Sequence, residues 1–162
     1  MSQQPVVAAR RTAPEASNET RDYVTMYIEN QQFGIPVLTV QDVLGPQRIT
    51  RIPLAPREVA GSLNLRGRIV TAIDVRLRLG LPRRPENIKG MSVVVEQSGE
   101  LYSLMVDSVG EVLSLPAAAF ERNPPTIDLV WRDFSVGIYR LDQKLLVVLD
   151  VGRLLDFNKN EV

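Results

Sequence analysis

Asp74 and Asp150 are the residues whose type and spacing come nearest to acid–base chemistry, each closing an apolar run and leading into a matching segment, DVRLRL and DVGRLL. Paired carboxylates can divide into a general acid and a general base only when they converge on one substrate. Here they hold equivalent places in two copies of one unit, which separates them into different subdomains. Their position favours a structural role: an Asp between a strand and a helix accepts hydrogen bonds from first-turn amides, worth about 1 kcal/mol. The remaining chemistry is thin. The 162 residues include no His and no Cys, which removes the usual base near neutral pH, the commonest zinc ligand, thiol nucleophiles and disulfides. No catalytic set, metal or cofactor is expected, so the weight shifts to surfaces.

The elements that must build those surfaces are duplicated. Residues 33–44, FGIPVLTVQDVL, reappear 69 positions later as YSLMVDSVGEVL, so that Val37, Val40, Val43 and Leu44 meet Val106, Val109, Val112 and Leu113, and Asp42 meets Glu111. A second pair lies 76 positions apart, GSLNLRGRIVTAIDVRLRL (61–79) against GIYRLDQKLLVVLDVGRLL (137–155). Order is kept and the offset grows by seven, which places an insertion in the irregular stretch 122–133. Short runs rich in Val, Ile, Tyr and Thr, parted by Arg66-Gly67, Ser98-Gly99 and Asp142-Gln143, read as strands. They cover 23–28, 32–37, 48–52, 62–65 and 68–73, then 91–96, 101–106, 111–115, 136–141 and 144–149, five per copy. Helical spacing in 37–44 competes with this reading, but Gly110 at the place of Gln41 limits it to one helical turn before a strand. The predicted fold class is mainly β: two five-stranded SH3-like β-barrel subdomains related by an internal repeat, with short helices.

With 44% hydrophobic residues the chain can bury roughly two thirds of its unfolded surface. Residues 1–21 read as a flexible N-terminal tail and 158–162 as a C-terminal one. Between them the first barrel is expected over about 22–85 and the second over 86–157, leaving room for exchange of strands or helices. No apolar run approaches the roughly 20 residues of a membrane span, so a soluble chain without direct membrane insertion is expected. Residues 1–84 carry 12 Lys/Arg against 7 Asp/Glu (+5), and residues 85–162 carry 7 against 12 (−5). Such a dipole suits head-to-tail docking, though two solvated faces account for it equally well.

The motifs VQDV (40–43), ITRIP (49–53), GSLNLRGRIV (61–70) with IDVR (73–76), and VDSVGEVLSL (106–115) resemble the CheW family of bacterial chemotaxis adaptors. The likeness continues through LDQKLLVVLDVGRLL (141–155) and spans about residues 20–157. It implies two SH3-like barrels sharing a core, and a non-enzymatic cytoplasmic adaptor held at membrane receptor arrays through its partners. Those partners are the cytoplasmic tip of chemoreceptors and the regulatory domain of a chemotaxis histidine kinase, with ring assembly alongside that domain. Residue by residue, the family's receptor-facing groove maps onto Val40, Asp42, Gly61, Asn64 and Arg66, with the kinase on the other end of the body. Each also has a plainer reading: Val40 as core, Gly61 as a backbone twist, Asp42 with Arg66 as a weak surface ion pair. Asp42 stands where the family usually has Glu. The 122–133 insertion, with Ile127, Leu129, Val130 and Trp131, has no family counterpart, and Trp131 is expected to cover the core.

One competing reading is a small β-barrel that binds nucleic acid through Arg48, Arg51, Arg66, Arg68, Arg76 and Arg78. The compensating acids and the lack of an aromatic stacking platform speak against it, so no nucleic-acid partner is expected.

Overall fold

Val93, Val94 and Val95 are consecutive and fully buried, as are Leu146 through Leu149 to within 2%. Alternate side chains of a strand point to opposite faces, so these strands must be covered on both sides. A computed structural model, describing residues 19–157, shows how. Its elements run β1 (Thr20–Ile28), β2 (Gln31–Pro36), β3 (Val40–Leu44), β4 (Val59–Leu65), β5 (Arg68–Asp74) and α1 (Val75–Arg78), then β6 (Met91–Gln97), β7 (Glu100–Val106), β8 (Ser108–Pro116), α2 (Leu129–Arg132), β9 (Ser135–Leu141), β10 (Lys144–Leu149) and α3 (Val151–Leu154). The mainly β fold class read from the sequence is the one observed.

The ten strands form two five-stranded sheets, ordered β8-β1-β2-β10-β9 and β3-β6-β7-β5-β4. Under the repeat, β1 to β5 correspond to β6 to β10, and one sheet order maps onto the other. Neither sheet follows the 22–85 and 86–157 division: each takes two strands from one half and three from the other. The halves are joined by the antiparallel pairs β1–β8 and β3–β6 and by the parallel pairs β2–β10 and β5–β7, in which Phe33 faces Val147 and Ile73 faces Leu104. Two-residue turns close the hairpins, with Arg66 and Gly67 at φ 52° and 87° and Ser98 and Gly99 at 54° and 82°, the left-handed pair that suits strand twist.

Three cores result. The central one lies between the sheets and collects Met26, Ile28, Phe33, Ile35, Val93, Val95, Leu104, Ile138 and Val147. The other face of each sheet closes on its own smaller core: Leu63, Val70, Ala72 and Val94 with Leu44 in one, Tyr23, Tyr139, Leu146 and Val148 in the other. Edge strands β3 and β4 share the first of these, through Leu44 and Leu63. Four flat strand spacings would hold them about 19 Å apart, so the sheet is curled into a barrel-like body, its hydrogen-bond ladder open between β3 and β4.

Some local expectations change. The strand predicted over 48–52 is reduced to one bridge, Thr50 with Ser62, closed by two 2.8 Å hydrogen bonds. Pro53 and Leu54, the latter at φ 64°, turn the chain away before a ladder can extend. The fifth strand of the first copy is instead β3, entered from a 3-10 turn at Val37–Thr39, which is the single turn that Gly110 argued for. Residues 20 and 21 belong to β1 rather than to a tail; the rest of the N-terminal tail, apart from Glu19, and the C-terminal tail 158–162 fall outside the described residues. Within the insertion, α2 brings Trp131 against the central core, its ring packed edge-on to Phe33 with centroids 5.4 Å apart and its indole N–H donating to the Leu79 carbonyl at 3.2 Å. Trp131 thus covers the core.

Candidate functional site

Asp42 and Arg66 come from opposite edges of one sheet and meet because it curls. Arg66 Nη2 lies 3.0 Å from Asp42 Oδ2, while Asp42 Oδ1 accepts a hydrogen bond from Val43 N–H at 2.8 Å. A register irregularity between Val40 and Asp42 aims the carboxylate out of the regular alternation. Oδ2 itself is buried without a hydrogen bond of good angle, so the contact is an ion pair rather than a bidentate clamp. With the Arg66 side chain 75% exposed, it contributes at most about 1 kcal/mol to folding. Asn64 holds the turn that presents Arg66, its Oδ1 accepting from Gly67 N–H at 3.0 Å.

Gly61 sits below this edge and is buried. Its φ is 150°, and a Cβ there would run into the Thr50 carbonyl. Its absent side chain therefore admits the 49–50 segment to the β4 edge. Val40 is half-buried, pairs with Val95 and packs on the central core, so it lies under the edge as much as on it. Asp74 Oδ1 accepts from Leu77 N–H at 3.2 Å and Asp150 Oδ1 from Arg153 N–H at 3.1 Å. Each carboxylate is thus engaged at the start of its own helix.

The residue immediately before Val40, Thr39, opens onto a wide cleft of about 710 Å³. Tyr23, Val37, Leu38, Phe120, Val136 and Gly152 are among its walls. Leu38 is 91% exposed and Val136 47%, an apolar rim that water does not favour. The sequence reading did not pick out this cleft. Its only linear trace is a pair of repeat mismatches, Leu38 against Asp107 and Gly152 against Arg76.

At the places that match these under the repeat, polarity is buried instead. Arg76, 6% exposed, donates from Nε to Asp107 Oδ1 at 2.9 Å and from Nη2 to Asp107 Oδ2 at 2.7 Å. Nη1 reaches Glu29 Oε2 and the Pro82 carbonyl, both at 3.4 Å. Burial opposes ionisation of Asp107, but the Arg76 hydrogen bonds and the Glu29 N–H at 2.7 Å outweigh it and hold the carboxyl below its ordinary range. Arg78 is equally buried and donates to the Leu154, Arg153 and Asp156 carbonyls. Two of the six arginines of the nucleic-acid reading are therefore internal, and Arg66 is ion-paired.

A duplicated pair of curled sheets, carrying an apolar cleft beside an ion-paired edge and no histidine or cysteine for chemistry, defines a binding scaffold. The model of the CheW-like domain matches residues 22–159, and the chain belongs to that family. The chemotaxis protein CheW of Klebsiella aerogenes is 27% identical over 151 residues, covering 92% of this chain and 91% of that protein. The CheW of Bacillus subtilis is 24% identical over 136 residues, covering 82% and 85%. Among solved structures, the scaffolding protein TtCheW of Thermoanaerobacter tengcongensis superposes with a TM-score of 0.78 at 29% identity, covering 89% of this chain and 98% of that one. The chain is accordingly a chemotaxis adaptor of the scaffold type, and no helix among its described residues is long and apolar enough to cross a membrane.

Proposed function

We propose that this chain couples the cytoplasmic tip of transmembrane chemoreceptors to a chemotaxis histidine kinase, without catalysing a reaction, and helps to build the receptor array in the cytoplasm. The receptor tip docks along the cleft and the edge beside it. An apolar stripe of the receptor helix lies against Leu38 and Val136, Val40 supports the strand beneath, and Asp42, Asn64 and Arg66 set the helix register by polar contacts. Gly61 shapes this edge by letting the backbone of Thr50 close on β4. The regulatory domain of the kinase takes a different end of the body, and alternation of two unlike faces closes rings.

The observation that carries this reading is the coincidence of three features. Family membership spans 22–159, the cleft is walled mainly by apolar side chains, and the family's receptor-facing positions adjoin it through Thr39 and Val40. The test is co-sedimentation with receptor signalling tips and kinase, together and separately. The wild-type protein is expected to pellet with each and to raise kinase retention in the ternary mixture. Arg66→Glu sets two carboxylates side by side and is expected to weaken receptor retention several-fold while thermal unfolding stays within about 1 kcal/mol of wild type. Full receptor-dependent kinase activation by that variant would remove Arg66 from the interface.

A further inference from the structure

The repeat sets the same pair of positions twice, each pair drawn from both halves, yet the two pairs carry opposite chemistry. Gly152 matches Arg76, 76 positions apart, each following a helix-capping Asp and a Val; Leu38 matches Asp107, 69 apart. Around Leu38 and Gly152 the cleft has about 710 Å³. At the matching positions the Arg76 side chain spans the corresponding space, reaching from the place of Gly152 to Asp107 at the place of Leu38, with hydrogen bonds of 2.9 and 2.7 Å. What stands at the two places differs: a buried Arg76 bonded to Asp107, Glu29 and Pro82, against a glycine and a solvent-facing leucine.

Nothing in the local backbone demands glycine at 152. A Cβ built on it would lie 3.4 Å from Asp150 Oδ1 and 3.5 Å from Gln97 Nε2, ordinary contact distances. Glycine inside a helical turn is nevertheless the weakest ordinary choice after proline, so α3 accepts a local weakness that its own packing does not explain. Leu38 is likewise placed against its solvation preference, 91% exposed on a 3-10 turn.

We infer that Gly152 and Leu38 are the specificity-determining pair that keeps one of two equivalent clefts open for an apolar side chain of the docked receptor helix, while Arg76 and Asp107 plug the other. The duplicated body therefore presents a single receptor site instead of two. This rests on the receptor-docking function proposed above, and it adds the residues that decide which copy docks.

The test transplants the plug. Leu38→Asp with Gly152→Arg installs the Arg76–Asp107 pair in the open cleft, and Asp142→Arg, at an exposed turn outside the cleft wall, serves as the control. Binding to a helical receptor-tip fragment is read by calorimetry, occupancy of the cleft by fluorescence of anilinonaphthalene sulfonate, and folding by thermal melts. The double variant is expected to melt cooperatively, to lose at least about tenfold in tip affinity, as removal of a central contact does, and to lose dye fluorescence. Asp142→Arg should keep both signals. If the double variant does not fold, Gly152→Leu, which fills the cleft without adding charge, carries the same expectation. A folded plugged variant that binds tip and dye as wild type does overturns the assignment. If wild type ignores the receptor tip but the dye is still displaced by the plug, the docking function fails while the open-and-plugged assignment stands.

Discussion

Arg78 shows how little of a charged residue's role is visible from its type. Its guanidinium is sandwiched between the rings of Phe134 and Phe157, 4.8 and 4.3 Å from their centroids, and donates to three carbonyls at the end of α3. It thus adds donors at a helix terminus, where the regular backbone ladder ends. Arg78→Met keeps the stem but removes these donated hydrogen bonds and the cation–ring contacts, costing about 2–3 kcal/mol and about 5–10 °C in melting temperature for a domain of this size. Asp107 yields a pH prediction of opposite character. Its carboxyl is held below the ordinary range in the folded state, so its contribution to stability is fully present above the unfolded value near 4 and disappears as pH falls through the lower folded value. Unfolding by denaturant at a series of pH values should show this slope below about pH 4, and Asp107→Asn should flatten it while lowering stability at pH 7. An unchanged slope would mean that the buried pair is not ionised as described.

Elements depart from sequence expectation where two segments must approach closely. The predicted 48–52 strand becomes a bridge because Gly61 admits Thr50 only locally, and the same device recurs at Gly137, where a Cβ would meet Phe120 and the Glu121 carbonyl. Gly61→Ala would force both a collision and a left-handed backbone value on an L residue. It is expected to cost at least about 2 kcal/mol, measured by the shift in chemical-denaturation midpoint, whereas a neutral outcome would place the 49–50 segment elsewhere. The Val37–Leu44 segment shows the reverse case. Its spacing suits a helix, yet burial on the sheet side and the partner strand β6 leave one 3-10 turn before the chain extends, an instance of tertiary context overriding local pattern.

At the scale of the whole molecule, the decisive feature is that the two sheets interleave the two copies. The basic and acidic halves counted along the chain are therefore mixed within each sheet, and the dipole they suggest is not a dipole between sheets. The interleaving also forbids independent folding. Residues 19–85 alone would contain β1 and β2 of one sheet and β3, β4 and β5 of the other, with the parallel partners β10 and β7 missing and central core residues such as Phe33 and Ile73 left to water. Each half expressed alone is expected to lack cooperative melting and amide dispersion in NMR spectra, and the two mixed are expected to recover both. A cooperatively folded isolated half would show that the interleaving is dispensable.

What the amino-acid sequence determined by itself was everything carried by short-range pattern: the alternating and continuous apolar runs that make strands, the turn dipeptides, the aspartates that precede α1 and α3, and the repeat that doubles them. Strand periodicity and turn chemistry are properties of neighbours along the chain, so they can be read there. Only the tertiary structure decided that strands would be exchanged between copies, that β3 and β4 would curl until Arg66 met Asp42, and that Arg76 would plug one cleft while Gly152 left the other open. Those outcomes depend on which faces meet across the sheets. A residue's burial is set by neighbours far away in sequence, and the same arginine reads as a surface charge until its partners are in place.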